Sequence, residues 1–177
     1  MLKPPPPAHR YQAGSLQPFF RAHAHEATKR REPWIFGEPT TTHLRNAVIG
    51  RYQLLPFYYT VYHTSSVVAH PVIRPLWASF PGDAPTFAMD DQFIAGTDLL
   101  VKPVTAPGTT SLSVYLPGGP AQLWYDVLTA QPTKGGGNVV VETPLHRIPV
   151  FQRKHTLTTP AAPRRDITRP VNLKCTG

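Results

Sequence analysis

The sequence predicts an α/β segment followed by an all-β segment. Three observations point to it. A proline-led aromatic run at 17–24 is followed by a stretch of helical period and then by a β-branched run. After Asp90 the pattern changes to short β-type runs separated by Gly and Pro. With 177 residues and 41% of them hydrophobic, the chain can bury a core in roughly one domain's length.

Taking the elements in order, Gln17 to Ala24 reads as a short strand leading into a loop. From Glu38 to His63, Leu44, Val48, Tyr52, Leu55, Tyr59 and Tyr62 recur at spacings of three and four, which predicts a helix with one buried face. Thr40 to Thr42 offer capping hydroxyls at its start. Pro56 should kink or break it, because an interior proline loses a backbone hydrogen bond and clashes with the preceding turn. "VVAHPVIRPLWASF" then reads as a second strand, and the order strand, helix, strand predicts parallel pairing.

Beyond Asp90, "FIAGTDLLVKPV", "SLSVYLP", "QLWYDV", "NVVVE" and "HRIPVFQR" are separated by "APGTT", "PGGPA" and "TKGGG". That spacing predicts an antiparallel sandwich or partial barrel, with "TKGGGN" as a hairpin loop. The lysine precedes the glycines and no Gly-Lys-Ser/Thr follows, so this is not a phosphate loop. The expected organisation is a disordered Pro-rich leader at 1–10, an α/β unit at 11–82, a β domain at 83–153 and a flexible basic tail at 154–177.

Composition bounds the function. The 22 prolines exceed the usual share of about 5%. A formal charge of +8 invites a nucleic-acid reading. The basic clusters are weak, however: Lys29, Arg30 and Arg31 form one short run, while Arg164, Arg165 and Arg169 sit in the tail. Solvated surface charge is the preferred reading, with neither nucleic acid nor membrane expected as a partner. Cys175 is the single cysteine, which excludes an internal disulfide and a thiolate zinc cluster. The chain as written shows no secretory h-region, no membrane-length apolar run and no Asn-x-Ser/Thr acceptor.

His23 and His25, two apart, would face the same side of a strand and could chelate a metal. Such a site needs more ligands, and His43, His63, His70, His146 and His155 are scattered singly, so no metal and no cofactor is expected. Glycoside hydrolysis normally needs two carboxylates. Glu26, Glu32, Glu38, Asp83, Asp90, Asp91, Asp98, Asp126, Glu142 and Asp166 are the ten acids, and none has a local setting that argues for such a pair. Asp90 and Asp91 read as turn or capping residues. The aromatic "RYQLLPFYYTVY" could serve as a stacking platform, but its helical period favours core packing.

"YQAGSLQPFFRAHAH", "KRREPWIFGEP", "RYQLLPFYYTVYH", "PVIRPLWASFP", "DDQFIAGTDLLVKPVTAPG", "VYLPGG", "WYD" and "IPVFQR" resemble, in order from about Arg10 to Arg153, consecutive blocks of the glycoside hydrolase family 31 α-glucosidases. Within the family they are most similar to the endoplasmic reticulum glucosidase II α-subunit branch. The resemblance implies a C-terminal fragment: the last strands and helix of a (β/α)8 TIM barrel, then an antiparallel β-sandwich. It implies a retaining α-glucosidase acting on terminal α-linked glucose of N-linked glycans, residence in the endoplasmic reticulum lumen, and a glucosidase II β subunit as partner. By the match, His23 corresponds to the histidine that hydrogen-bonds the glucosyl unit, and Arg21 to the arginine that orders acidic groups beside it.

The family nucleophile lies in a Trp-x-Asp-Met-Asn-Glu motif and its acid/base is a second aspartate. Neither motif occurs here. No catalytic residue is therefore assigned, and the isolated chain is expected to be inactive. Glu26 and Ala27 depart from the pattern, which usually continues with an aspartate, and the sequence after Arg153 leaves it altogether. The alternative is a noncatalytic β-rich module that binds carbohydrate or nucleic acid.

Overall fold

A computed structural model of the chain describes residues 7–23 and 25–154. His155, Asp166, Cys175 and the basic tail lie outside the described residues. Helix α1 (Pro7–Ser15) opens with proline, whose missing N–H costs nothing in a first turn. It starts inside the stretch read as a leader and packs on α2 (Thr40–Gln53). Its inward side buries Ala8, His9, Gln12 and Ser15. Burial holds His9 below the usual histidine pKa.

The start of α2 is satisfied by Glu38, not by the expected threonine hydroxyls. The Glu38 carboxylate accepts the Thr42 backbone N–H at 3.3 Å and the Thr42 hydroxyl at 2.6 Å. An anion suits this end of a helix, where free N–H groups and the dipole are positive. The break predicted at Pro56 is present. Leu54 ends α2 with N–H bonds to Gly50 and Arg51 carbonyls, and α3 (Leu55–Val68) begins with Pro56 in its first turn.

That break divides the expected buried face. Leu44 is fully buried and Val48 half-buried, whereas Tyr52, Leu55, Tyr59 and Tyr62 are exposed. Tyr58 takes the inward place instead. The irregular step at Leu54 interrupts the helical phase, so a period counted across it fails.

Two further expectations are corrected. Residues 17–23 form no strand: a strand needs a neighbour for its backbone groups, and side chains of α2 and α3 take that part here. The "VVAHPVIRPLWASF" run is divided among the end of α3, a short strand β1 (Ile73–Pro75) and a helical turn α4 (Leu76–Ser79). β1 pairs antiparallel with β2 (Phe93–Ala95), not parallel to anything.

The remaining strands are β3 (Leu99–Val101), β4 (Ser111–Leu116), β5 (Leu123–Asp126), β6 (Pro132–Lys134), β7 (Gly137–Glu142) and β8 (Val150–Arg153). They form a six-stranded sheet in the order β1-β2-β3-β8-β5-β6 and a two-stranded sheet β4-β7, with every pairing antiparallel. Pro75 and Pro132 fall on the edge strands β1 and β6, where a missing N–H breaks no ladder. "TKGGG" is not a hairpin: it carries the chain from β6 to β7 in the other sheet. Gly135 and Gly136 are needed for close approach, since a Cβ on Gly135 would lie 2.7 Å from the Pro117 carbonyl oxygen and one on Gly136 2.9 Å from the Gly119 Cα.

Between the sheets sits a core of Leu76, Phe80, Ile94, Leu100, Val114, Leu116, Trp124, Val141 and Phe151. Trp124 is fully buried and its indole N–H donates to the Pro117 carbonyl at 2.9 Å. Gln92 acts as a strand neighbour for β4, with its side-chain amide donating to the Tyr115 carbonyl and accepting the Tyr115 N–H, both at 2.9 Å. Contacts among the described residues tie the helices to this β unit, the packing of Val61 of α3 against Gly96 among them. Gln12 donates to the Leu145 carbonyl at 2.8 Å, and the His43 and His146 rings stack at 6.3 Å.

Trp124→Ala should cost about 3–5 kcal/mol, the usual range for emptying a buried aromatic site, read as a lower urea midpoint at unchanged m-value. A second expectation concerns alkaline pH. Burial, then the Asp83 carboxylate that accepts its hydroxyl at 2.7 Å, push Tyr115 up to about 12. A raised tyrosine pKa stabilises the fold fully below the unfolded value near 10. That contribution is lost as pH rises through about 12. Urea midpoints followed upward from about pH 10 should therefore fall, and fall less steeply in Tyr115→Phe.

Candidate functional site

The site is built around the segment between α1 and the first basic run. Ser15, Leu16, Gln17 and Pro18 have carbonyls that no strand partner satisfies, and helix side chains take them. Arg51 Nη1 donates to the Gln17 carbonyl at 2.6 Å and to Ser15 at 3.2 Å, while Nη2 donates to Pro18 at 2.8 Å. The Tyr58 hydroxyl donates to Leu16 at 2.6 Å and the Tyr62 hydroxyl to Pro18 at 3.2 Å. The Arg51 guanidinium carbon lies 4.3 Å from the Tyr58 ring centroid, a cation–π contact in a buried setting. Burial raises the Tyr58 pKa, partly offset by the Arg51 charge, so the phenol stays a donor.

Phe20 turns inward. Its ring meets Tyr11 edge to face at 5.9 Å and lies over Gly14, where a Cβ would be 3.2 Å from the ring. Phe19, by contrast, is exposed. With Phe20 anchored, Arg21 and His23 are both exposed and line one cleft of about 610 Å3, shared with Tyr11, Phe19 and Phe36. The structure thus brings both sequence-predicted site residues to one place.

The electrostatics of this cleft are cationic. Arg10, Arg21, Lys29, Arg30 and Arg31 line it. The nearby carboxylate, Glu32, is engaged by Arg30 at 3.0 Å, and its own backbone amide, then Arg30, hold its pKa down. The acids elsewhere are largely committed to structure. Asp83 accepts the Tyr115 hydroxyl and the Gly118 N–H, Asp91 pairs with Lys102, and Asp126 takes Arg147 and the Leu128 and Thr129 N–H groups. Glu26, Asp90 and Glu142 are exposed. Among the described residues no carboxylate lines the cleft that holds Arg21 and His23, while Glu32 lines an adjoining cavity with Arg21. The arrangement can hold a polar ligand against aromatic walls, but it offers no acid and base across a reacting bond.

His25 is turned to its own loop, where its Nδ1 accepts the Ala27 N–H at 3.2 Å. Among the described residues no group of three or more His, Cys, Asp or Glu side chains is placed to hold a metal ion. No helix among them is long and apolar enough to cross a membrane.

Sequence reasoning missed Arg51 and Tyr58. The clue was there: an arginine and a tyrosine seven apart in a helical stretch lie on one face, although the break at Leu54 hides the register. Arg51→Lys should loosen the segment it holds, because an ammonium cannot reproduce the planar fork. Amide hydrogen exchange at 16–20 should then quicken by roughly tenfold or more, the effect of losing about 1.4 kcal/mol of a charged hydrogen-bond network, with the β sheets unchanged.

Residues 8–61 match the TIM-barrel domain of the glycosyl hydrolases family 31, and residues 69–157 match the family's C-terminal domain. The chain is 50% identical over 143 residues to neutral alpha-glucosidase C of Mus musculus, covering 81% of this chain and 16% of that protein. It is 47% identical over 144 residues to neutral alpha-glucosidase AB of Dictyostelium discoideum, covering 81% and 15%. It is 46% identical over 156 residues to a probable glucan 1,3-alpha-glucosidase of Arabidopsis thaliana, covering 88% and 16%. Among solved structures it superposes on glucosidase II alpha subunit in a Glc1Man2-bound form with TM-score 0.77 and 36% identity, covering 82% of this chain and 16% of that one. The chain thus spans between 15% and 16% of the length of these curated relatives. With both of the family's domains represented in order, the chain belongs to glycosyl hydrolase family 31.

Proposed function

We propose that this chain is the sugar-binding C-terminal part of a retaining α-glucosidase whose two catalytic carboxylates lie on residues other than these. The observation that carries this reading is the cleft itself: Arg21 and His23 line it together on a segment locked by Arg51, between the aromatic rings of Tyr11, Phe19 and Phe36. His23 would hydrogen-bond a hydroxyl of the glucosyl unit, a contact that can strengthen as charge develops at the anomeric carbon. Arg21 would order the acidic groups brought by the rest of the barrel.

The exposed aromatic rings support the same reading. Phe19 is 77% exposed, Trp34 68% and Tyr59 80%, a cost for an isolated domain but a fitting surface for further barrel strands and helices. On this account residues 11–82 are the end of the barrel and 83–153 the sandwich that follows it.

The mechanism is double displacement. A carboxylate attacks the anomeric carbon as the protonated leaving oxygen departs, giving a covalent glucosyl-enzyme, and water then releases glucose with retention. Terminal α-linked glucose of N-linked glycans is the proposed substrate, in keeping with the Glc1Man2-bound glucosidase II alpha subunit among the similar structures. The endoplasmic reticulum lumen is the proposed location. A β subunit is the proposed partner, since another similar structure is a glucosidase II heterodimer of catalytic and regulatory subunits.

The test is complementation. The chain is co-expressed with the preceding part of a family 31 α-glucosidase that carries both aspartates. Hydrolysis should be restored, and His23→Ala should lower kcat/KM by roughly tenfold, the value of one hydrogen bond that strengthens in the transition state. Restored activity that is indifferent to His23→Ala would refute the sugar-binding role.

A further inference from the structure

A second cavity, of about 170 Å3, lies between the C-terminal half of α3 and the turn joining β2 to β3. It shares no lining residue with the Arg21 and His23 cleft. Phe57, Val61 and Pro71 give it apolar walls, while Thr64, Arg74 and Asp98 give it polar ones. The fold keeps α3 tight against this turn, since a Cβ on Gly96 would lie 2.9 Å from a Val61 methyl.

Arg74 is under-used where it stands. One Nη2 donates to the Gly96 carbonyl at 2.6 Å, yet Nε is buried with no hydrogen-bond partner among the described residues. A guanidinium has five N–H donors, and an unsatisfied buried one is unfavourable. One Asp98 oxygen accepts the Thr97 hydroxyl at 2.5 Å, and a carboxylate has lone pairs for more than one donor. Arg74 disfavours a cation here and Asp98 disfavours an anion. A neutral ligand whose groups both donate and accept suits both, and hydroxyls do so. An apolar cavity of ~150 Å3 is known to take benzene, so the ring itself fits here, with the hydroxyls that are not bound extending past the exposed Thr60 and Thr64.

We propose that this cavity is a second carbohydrate site that takes a single pyranose ring or cyclic polyol. One ring hydroxyl accepts from the Arg74 guanidinium, another donates to Asp98, and the C–H face of the ring packs on Phe57 and Val61. The site is independent of the proposed glucosidase role and stands whether or not that role holds.

The isotopically labelled full chain is titrated with methyl α-D-glucopyranoside and, separately, with sodium acetate, and amide shifts are followed by NMR. Saturable shifts at Thr64, Thr97 and Asp98 are expected with the glucoside at about millimolar affinity and not with acetate. Thr64→Leu fills the cavity from an exposed helix position that favours leucine. It and Asp98→Asn should each weaken these shifts at least about tenfold, whereas His23→Ala should leave them unchanged. Shifts confined to 19–23, equal shifts with acetate, or insensitivity to Thr64→Leu would overturn the proposal. A spectrum without dispersed amides would overturn the geometry on which it stands. Loss of the 19–23 shifts in His23→Ala reports on the first cleft alone, so the two sites are separable.

Discussion

The Arg51 guanidinium is the constraint on which the site depends. A segment with no strand beside it must still satisfy its carbonyls, and Arg51 meets those of Ser15, Gln17 and Pro18 from α2. Tyr58 and Tyr62 complete the set from α3. The break at Leu54 is therefore more than a kink: it turns Tyr58 toward Leu16 and under Arg51 while leaving Tyr59 outside. Once these atoms are fixed, Phe20 packs on Tyr11 and Gly14, and Arg21 and His23, just beyond it, line the cleft.

The β unit holds the main buried hydrophobic cluster. Its core is closed by Trp124 and by Gln92 acting as a strand neighbour for β4. The helices lean on it through the Gln12 bond to Leu145, the His43–His146 stack and the packing of Val61 on Gly96, while Phe19, Trp34 and Tyr59 stay exposed. In a family 31 enzyme of full length, the proposed role for those exposed rings is contact with the rest of the barrel. The chain's span of 15% to 16% of its curated relatives leaves ample sequence in those relatives to form it.

The β half was legible in the sequence because Gly and Pro punctuate it. "SLSVYLP", "QLWYDV" and "NVVVE" became β4, β5 and β7 nearly as written. "TKGGG" misled because a glycine turn looks the same whether it returns within one sheet or crosses to another; the close carbonyls of Pro117 and Gly119 decide it, and they are distant in sequence. In the helical half, Pro56 gave the break but not its consequence for facing. The strand at 17–24 failed for a physical reason: aromatic, proline-led runs favour β structure only where a neighbouring strand exists to pair with. Arg21 and His23 were found through family resemblance, while Arg51, which positions them, needed the three-dimensional hydrogen bonds.

The central claim is that this chain holds sugar without supplying the carboxylates that cleave it. The most direct measurement follows the isolated chain by NMR while it is mixed with a chromogenic α-glucoside. The account predicts a saturable shift of the His23 ring signals with no release of the chromophore. Release at a rate comparable with a whole glycosidase, abolished by substituting one of this chain's own carboxylates, would contradict it.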